Sequence, residues 1–144
     1  MMHQAPTLTN VIKKEIPFYD TDAIRVVWHG NYLRYLEDGR EAFGKQYGLE
    51  YMHIFDSGYY APIVDLHVKY KKTTTLGDTL VIETKYIPSK SAKLMFEYVI
   101  RRESDNEIVL EAETTQLFLT REGKFELSSP EFLVKWREKI KNLH

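Results

Sequence analysis

Asp20-Thr21-Asp22-Ala23-Ile24-Arg25-Val26-Val27-Trp28-His29-Gly30-Asn31-Tyr32 is the stretch on which the reading of this chain turns. Two carboxylates stand two residues apart beside a threonine hydroxyl. An apolar tripeptide, Val26-Val27-Trp28, follows, and His29-Gly30-Asn31 then leads into a long amphipathic segment. There Tyr32, Leu36, Gly39, Phe43 and Tyr47 recur at close to 3.6-residue spacing, while Arg34, Asp38, Glu41 and Lys45 take the other side. The pattern predicts a helix from about His29 or Asn31 to Tyr47, supported by the i,i+4 pair Glu41–Lys45 and followed by Gly48 as its C-terminal stop. Gly39 is the odd member of the stripe. Mid-helix glycine costs roughly 1 kcal/mol relative to alanine, so its presence predicts that a strand or second helix passes too close for a side chain. A carboxylate just ahead of a helix start lies near unpaired backbone N–H groups and the positive end of a helix dipole. Acyl-transfer chemistry needs that pairing, a base or nucleophile facing donors that can hold a developing oxyanion.

Around this centre the sequence reads mostly as strand. Residues 8–19 place Ile12, Ile16 and Phe18 on one parity and Lys13 and Glu15 on the other, which predicts a first strand. Asp20 to Trp28 fits neither period and reads as a loop. Residues 62–72 alternate Val64, Leu66, Val68 and Tyr70 with Asp65, His67, Lys69 and Lys71. After a Gly77-Asp78 turn, residues 79–87 and 93–102 read as an antiparallel pair joined through Pro88-Ser89-Lys90-Ser91-Ala92. A long strand over 108–120 ends at Arg121-Glu122-Gly123-Lys124. Ser129-Pro130-Glu131 then reads as a helix start with Ser129 as N-cap and Pro130 at the first position. Leu133, Trp136, Ile140 and Leu143 form the buried side of that closing helix. The order strand, long helix, four strands, closing helix is α+β. A long apolar-striped helix has to be covered, and a curved five-stranded antiparallel sheet is the material available. The expectation is therefore a hotdog fold in a single domain over residues 1–144.

Composition narrows the function classes. The 144 residues carry a net charge of −1 and no block of basic residues, which argues against broad phosphate-backbone binding. The absence of cysteine removes disulfides, thiolate metal sites and cysteine nucleophiles together. Met1-Met2-His3-Gln4-Ala5-Pro6 has no apolar core of the signal-peptide kind, and no apolar run approaches the roughly 20 residues of a membrane span. A soluble, cytoplasmic protein without nucleic-acid partners is expected.

The block Asp20-Thr21-Asp22, Val26-Val27-Trp28-His29-Gly30-Asn31-Tyr32-Leu33-Arg34-Tyr35 resembles the 4-hydroxybenzoyl-CoA thioesterase family of hotdog-fold acyl-CoA thioesterases. That family carries Asp-x-Asp, a Gly-Val-Val-like run, an aromatic or His, and Asn-Tyr opening the central helix. Tyr70 through Gly77-Asp78, the Ser89-to-Phe96 hairpin and the closing strand with its Gly123 turn also fit it, although only the first block is specific. The resemblance implies hydrolysis of a small or medium acyl-CoA, or of an acyl carrier protein thioester. The catalytic carboxylate then falls on Asp22 and the carbonyl-polarising backbone N–H on His29. It also implies a homodimer or homotetramer with sites between subunits. No metal or organic cofactor is implied, CoA being part of the substrate. One departure stands out: Arg25 occupies the position of the family glycine. If that position needs positive φ, Arg25 is strained by roughly 1–3 kcal/mol. Its guanidinium could also sit beside Asp22 and make the carboxylate less basic.

Each candidate has a plainer reading. Asp22 could simply cap a turn, but its context favours catalysis; Asp20 is expected to hold the loop by hydrogen bonds. The His29 side chain reads as structural, only its N–H being required. Trp28 and Tyr32 are candidates to shape an acyl pocket, although aromatics at helical spacing are most often core. Lys90 and Ser91, with Ser89 and Lys93, are candidates to meet CoA phosphates, against the alternative of a solvated hairpin. Glu37 and Glu41 read as a solvated or interface face. Two other readings of the same fold remain open at this stage, a hydratase or dehydratase and a non-catalytic acyl-thioester binding module.

Overall fold

The computed structural model describes residues 8–141. Strand β1 (Thr9–Glu15) opens the chain and is shorter than the alternation suggests. Pro17, which has no N–H to extend a ladder, stops it, and Phe18–Asp20 coil into a 3₁₀ turn. A second 3₁₀ turn, His29–Asn31, runs directly into helix α1 (Tyr32–Tyr47). Gly48 ends α1 at φ 78°, its N–H bonding the Gly44 carbonyl at 2.8 Å. A six-residue helix α2 (Tyr51–Asp56) and the two-residue strand β2 (Tyr59–Tyr60) follow. Strands β3 (Ile63–Tyr70), β4 (Thr79–Ile87), β5 (Lys93–Arg102) and β6 (Ile108–Leu117) come next. The long strand expected over 108–120 breaks at Phe118, beyond which β7 (Leu119–Thr120) pairs with β2 instead. Helix α3 (Glu131–Ile140) closes the described chain.

The five long strands form one antiparallel sheet in the order β1-β4-β5-β6-β3. In β4 and β5 every second residue is buried, so Leu80, Ile82, Tyr86, Leu94, Phe96, Tyr98 and Ile100 face inward onto α1. This is the expected hotdog arrangement, a sheet around a central helix. Gly39 lies where α1 crosses β4. A Cβ there would stand 2.5 Å from Thr84 Oγ1 and 2.9 Å from Ile82 Cγ2, so the close approach inferred from the stripe is real.

Two side-chain arrangements also went unforeseen. Arg40 is 1% exposed inside this core. Its Nε donates to Gln116 Oε1 (2.9 Å), its Nη1 to the Leu49 carbonyl (3.0 Å), and its guanidinium lies between the rings of Tyr51 and Phe96. At α3, Pro130 rather than Ser129 is the N-cap. The Ser129 hydroxyl instead donates to the Lys90 carbonyl and accepts from Arg137, whose guanidinium also donates to the Ser91 and Lys93 carbonyls. Arg137 thus pins α3 to the β4–β5 turn, a tertiary use that outweighs a local cap. Leu133 and Trp136 are buried as expected and Ile140 partly so; Leu143 lies outside the described residues. No helix among the described residues is long and apolar enough to cross a membrane.

Candidate active site

The loop from Thr21 to Val27 is a miniature hairpin. Thr21 bridges Val27, Asp22 N–H bonds the Val26 carbonyl at 2.9 Å, and Arg25 N–H bonds the Asp22 carbonyl at 2.9 Å. A turn closed in this way needs its last residue left-handed, and Arg25 has φ 63°. The glycine expected at that position is therefore explained by backbone geometry, and arginine occupies it under strain. No ion pair joins Arg25 to Asp22 among the described residues.

Asp22 is exposed on this hairpin. Its Oδ1 accepts from Ile24 N–H (2.9 Å) and Val26 N–H (3.2 Å), which orients the carboxylate, while no partner engages Oδ2 among the described residues. Asp20 differs in every respect. It is 2% exposed, with Oδ2 accepting from the Tyr35 hydroxyl at 2.6 Å and Oδ1 from the Arg34 guanidinium. Burial alone would raise the Asp20 pKa, but the hydrogen bonds from Tyr35 and Arg34 and the Arg34 charge outweigh it and hold the carboxyl below its usual range. Tyr35 moves the other way. Burial, and then the bond to Asp20 and its charge, push the phenol up, so it stays a donor.

The hairpin leads into the 29–31 turn. Trp28 N–H reaches the Asp20 carbonyl (3.4 Å) and Asn31 N–H the Trp28 carbonyl (2.9 Å). Between them, the N–H groups of His29 and Gly30 have no hydrogen-bond partner among the described residues, as the first donors of a helix should not. Trp28 is 56% exposed and lies tilted at 47° against His29, with ring centroids 4.9 Å apart. A Cβ on Gly30 would collide with the Trp28 indole, so glycine is what lets that ring lie over the turn. The Tyr70 hydroxyl donates to the His29 carbonyl at 3.0 Å, tying the turn to the end of β3.

Three candidate binding positions, Tyr32, Lys90 and Ser91, lie elsewhere in the chain. Tyr32 is 3% exposed, and its hydroxyl shares a 2.6 Å hydrogen bond with Thr74. It fixes the hairpin's flank from within the core and offers no surface to a ligand. Lys90 and Ser91 are exposed, but they lie beyond the far end of β4 from Asp78, which accepts from Ile16 N–H beside the Asp20–Asp22 loop. Nine residues of strand separate these ends, about 27 Å at roughly 3.3 Å per residue. Lys90 instead borders a cavity of about 460 Å³ with Tyr86, Pro88, Arg137 and Ile140. Asp22, Trp28 and His29 are thus all exposed within one short stretch of chain, and Lys90 and Ser91 lie apart from it.

Residues 16–137 match the family model described as the Thioesterase-like superfamily. The chain belongs to that superfamily. The fold and enzyme class read from the sequence, a hotdog thioester hydrolase, both stand. Among its relatives, the putative acyl-CoA thioesterase YneP of Bacillus subtilis is 31% identical over 116 residues, covering 79% of this chain and 83% of that one. The 1,4-dihydroxy-2-naphthoyl-CoA hydrolase of Thermosynechococcus vestitus is 24% identical over 132 residues, covering 91% and 90%. The fold is shared with the DHNA-CoA thioesterase of Staphylococcus aureus (TM-score 0.82, 22% identity, 94% of this chain and 92% of that one). It is also shared with the 4-hydroxybenzoyl CoA thioesterase of Pseudomonas sp. strain CBS-3 (TM-score 0.77, 20% identity, 90% and 97%).

Proposed function

We propose that this superfamily member hydrolyses an acyl-CoA thioester, with Asp22 as nucleophile or general base and the His29 N–H as the donor that polarises the thioester carbonyl. The observation that carries this is the contrast on one loop: among the described residues, Asp22 keeps a carboxylate oxygen without a partner, a few residues along the chain from two amides that also lack one. Attack by Asp22 on the carbonyl carbon would expel the CoA thiolate and leave a mixed anhydride for water to open. Activation of a water by Asp22 would give the same products in one addition. The amide donors would face the oxyanion in either route, where one such donor is typically worth about 2.7–4 kcal/mol. Trp28, exposed over the turn, would border the acyl group. CoA is substrate here, and the scheme calls for no metal or organic cofactor.

The chain acts as a homo-oligomer in this reading. β3 is an edge strand whose inward residues Leu66 (42% exposed) and Tyr70 are left uncovered, because α1 packs over β1 and β4. Such an edge invites strand pairing. Antiparallel pairing of two copies about His67 would set Asp65 against Lys69 of the partner subunit and Val64 against Tyr70 of the partner subunit. A second copy would then close the open face carrying Asp22.

The test is thiol release from a panel of short, long and aromatic acyl-CoAs, with Asp22→Asn alongside. Hydrolysis by the native chain with a loss of about 10²–10⁴ in kcat for the variant is expected. Turnover by Asp22→Asn at the native rate would remove Asp22 from the chemistry.

A further inference from the structure

Four donors from residues 28–35, the turn before the central helix and its first turn, converge on one residue that the proposed chemistry leaves out. The Asp20 carboxylate accepts from Arg34 and from the Tyr35 hydroxyl at 2.6 Å, and its backbone carbonyl accepts from Asn31 Nδ2 at 2.8 Å and Trp28 N–H at 3.4 Å. Residues 28, 31, 34 and 35 bracket His29 and Gly30 on both sides. Taking a carboxylate out of water costs several kcal/mol unless charge-assisted donors replace the lost solvent. Here both donors to the carboxylate come from the first turn of α1, so what the burial yields is a rigid joint between loop and helix. Asp22 hangs from that same loop, two residues further on.

We propose that Asp20 is a positioning residue for thioester hydrolysis, holding the His29–Gly30 amides and the Asp22 carboxylate in a constant relation by clamping the 29–31 turn and the first turn of α1 onto the loop. The proposal rests on the reading of Asp22 and the His29 amide given above. Asp20 itself touches no substrate atom, since both its carboxylate oxygens are occupied and it is buried. The effect is one of preorganisation. Donors aimed in advance at a developing oxyanion need no rearrangement during the reaction, and a misplacement of about 1 Å can lower the rate on the order of 100-fold.

Tyr35 supplies the sharpest test. Phenylalanine there deletes a single hydroxyl and keeps the ring packed edge-on against Tyr32, at 5.7 Å between centroids. Tyr35→Phe and Asp20→Asn are compared with the native chain and with Asp22→Asn. The measurements are thiol release, its pH profile, and backbone hydrogen exchange over residues 21–36. The expected result is a kcat lower by about 10-fold in Tyr35→Phe and about 10- to 100-fold in Asp20→Asn, with KM changed less than about threefold. The shape of the kcat pH profile stays the same, because neither group exchanges a proton with substrate. Exchange of the amides at 28 and 31 quickens while β4 to β6 keep their protection. A lowered melting temperature with native kcat in both variants would reduce Asp20 to a fold support and overturn the proposal. A displaced limb in the pH profile would also overturn it, by making Asp20 a proton donor or acceptor. Native turnover by Asp22→Asn is a different failure, that of the site reading. In that event, unchanged exchange at 28 and 31 in Asp20→Asn rejects the clamp as well, and quickened exchange upholds it. If Asp20→Asn does not fold, Tyr35→Phe decides alone.

Discussion

Substituting Gly39 with alanine sets two well-known effects against each other, and the structure says which prevails. On helix propensity alone the change should stabilise the chain by roughly 1 kcal/mol, since glycine is the poorest helix former after proline. The new methyl group, however, would stand 2.5 Å from Thr84 Oγ1 and 2.9 Å from Ile82 Cγ2, well inside the 3.4 Å at which ordinary contact begins. Both neighbours are β-branched, so neither can swing aside about χ1 without leaving its well. Both are also fully buried in the middle of β4, so the sheet cannot simply retreat. Overpacking of this kind costs about 1–3 kcal/mol; with two rigid contacts the upper part of that range applies. Gly39→Ala should therefore be less stable by about 1–2 kcal/mol net, a fall in melting temperature of roughly 3–8 °C for a chain of this size. The assay is urea unfolding at fixed protein concentration, reading the midpoint at constant m-value. Thr84→Ala supplies the control, because it removes the Oγ1 atom and branch that the new methyl meets. The double variant should recover about 1 kcal/mol relative to additivity. If Gly39→Ala proves more stable than the native chain by the propensity increment, glycine is not there for the approach of β4, and the packing argument fails.

Three further outcomes follow from the loop and the sheet edge. Arg25→Gly should relieve left-handed strain at φ 63° and raise stability by about 1 kcal/mol, checked by thermal unfolding. No gain would mean that Arg25 makes compensating contacts. Asp20, with its folded pKa held down, stabilises the fold at pH values above its unfolded value near about 3.9, and that contribution disappears as pH falls through the lower folded value. Acid titration of urea midpoints should show a shallower loss across that window for Asp20→Asn than for the native chain. Asp65→Lys should weaken self-association about 10-fold by placing like charges opposite each other twice, and the swap Asp65→Lys with Lys69→Asp should restore it, as read by sedimentation equilibrium. Failure of the swap to restore the dimer would reject the register centred on His67.

Much of the frame was open to reading because it is periodic. The 3.6-residue stripe from Tyr32 to Tyr47 and the alternation in 62–72, 79–87 and 93–102 each repeat often enough to declare helix or strand, and Gly39 broke its stripe in a way that named its cause. Elements of one or two turns do not repeat, which is why α2 and the 3₁₀ turn at Phe18–Asp20 were missed. Periodicity also cannot see where tertiary contacts end an element. Pro17 cut β1 short, Phe118 parted β6 from β7, and Ser129 was taken from its capping role by Arg137 and the Lys90 carbonyl. The separation of Lys90 and Ser91 from the Asp20–Asp22 loop is different, since the information was present in the sequence. Gly77-Asp78 and Pro88-to-Ala92 terminate the same nine-residue strand, so nothing in the second turn could reach a site beside the first within one chain.

The division of labour between Asp20 and Asp22 shows what spacing can and cannot carry. Two carboxylates separated by one residue look equivalent in sequence, and each could serve a turn or a reaction. What separates them is the hairpin between Thr21 and Val27, which turns Asp22 outward onto its own loop amides while Asp20 stays beneath, within reach of Tyr35. A left-handed residue at 25 is the condition for that hairpin, and it was the one place where the resemblance and the chain disagreed. Arginine meets the backbone requirement at the expense of some strain and, with no ion pair to Asp22 among the described residues, leaves the carboxylate's second oxygen open among them. The departure at position 25 therefore bears on stability, while in the proposed mechanism the placement of Asp22 would rest on the buried Asp20 two residues before it.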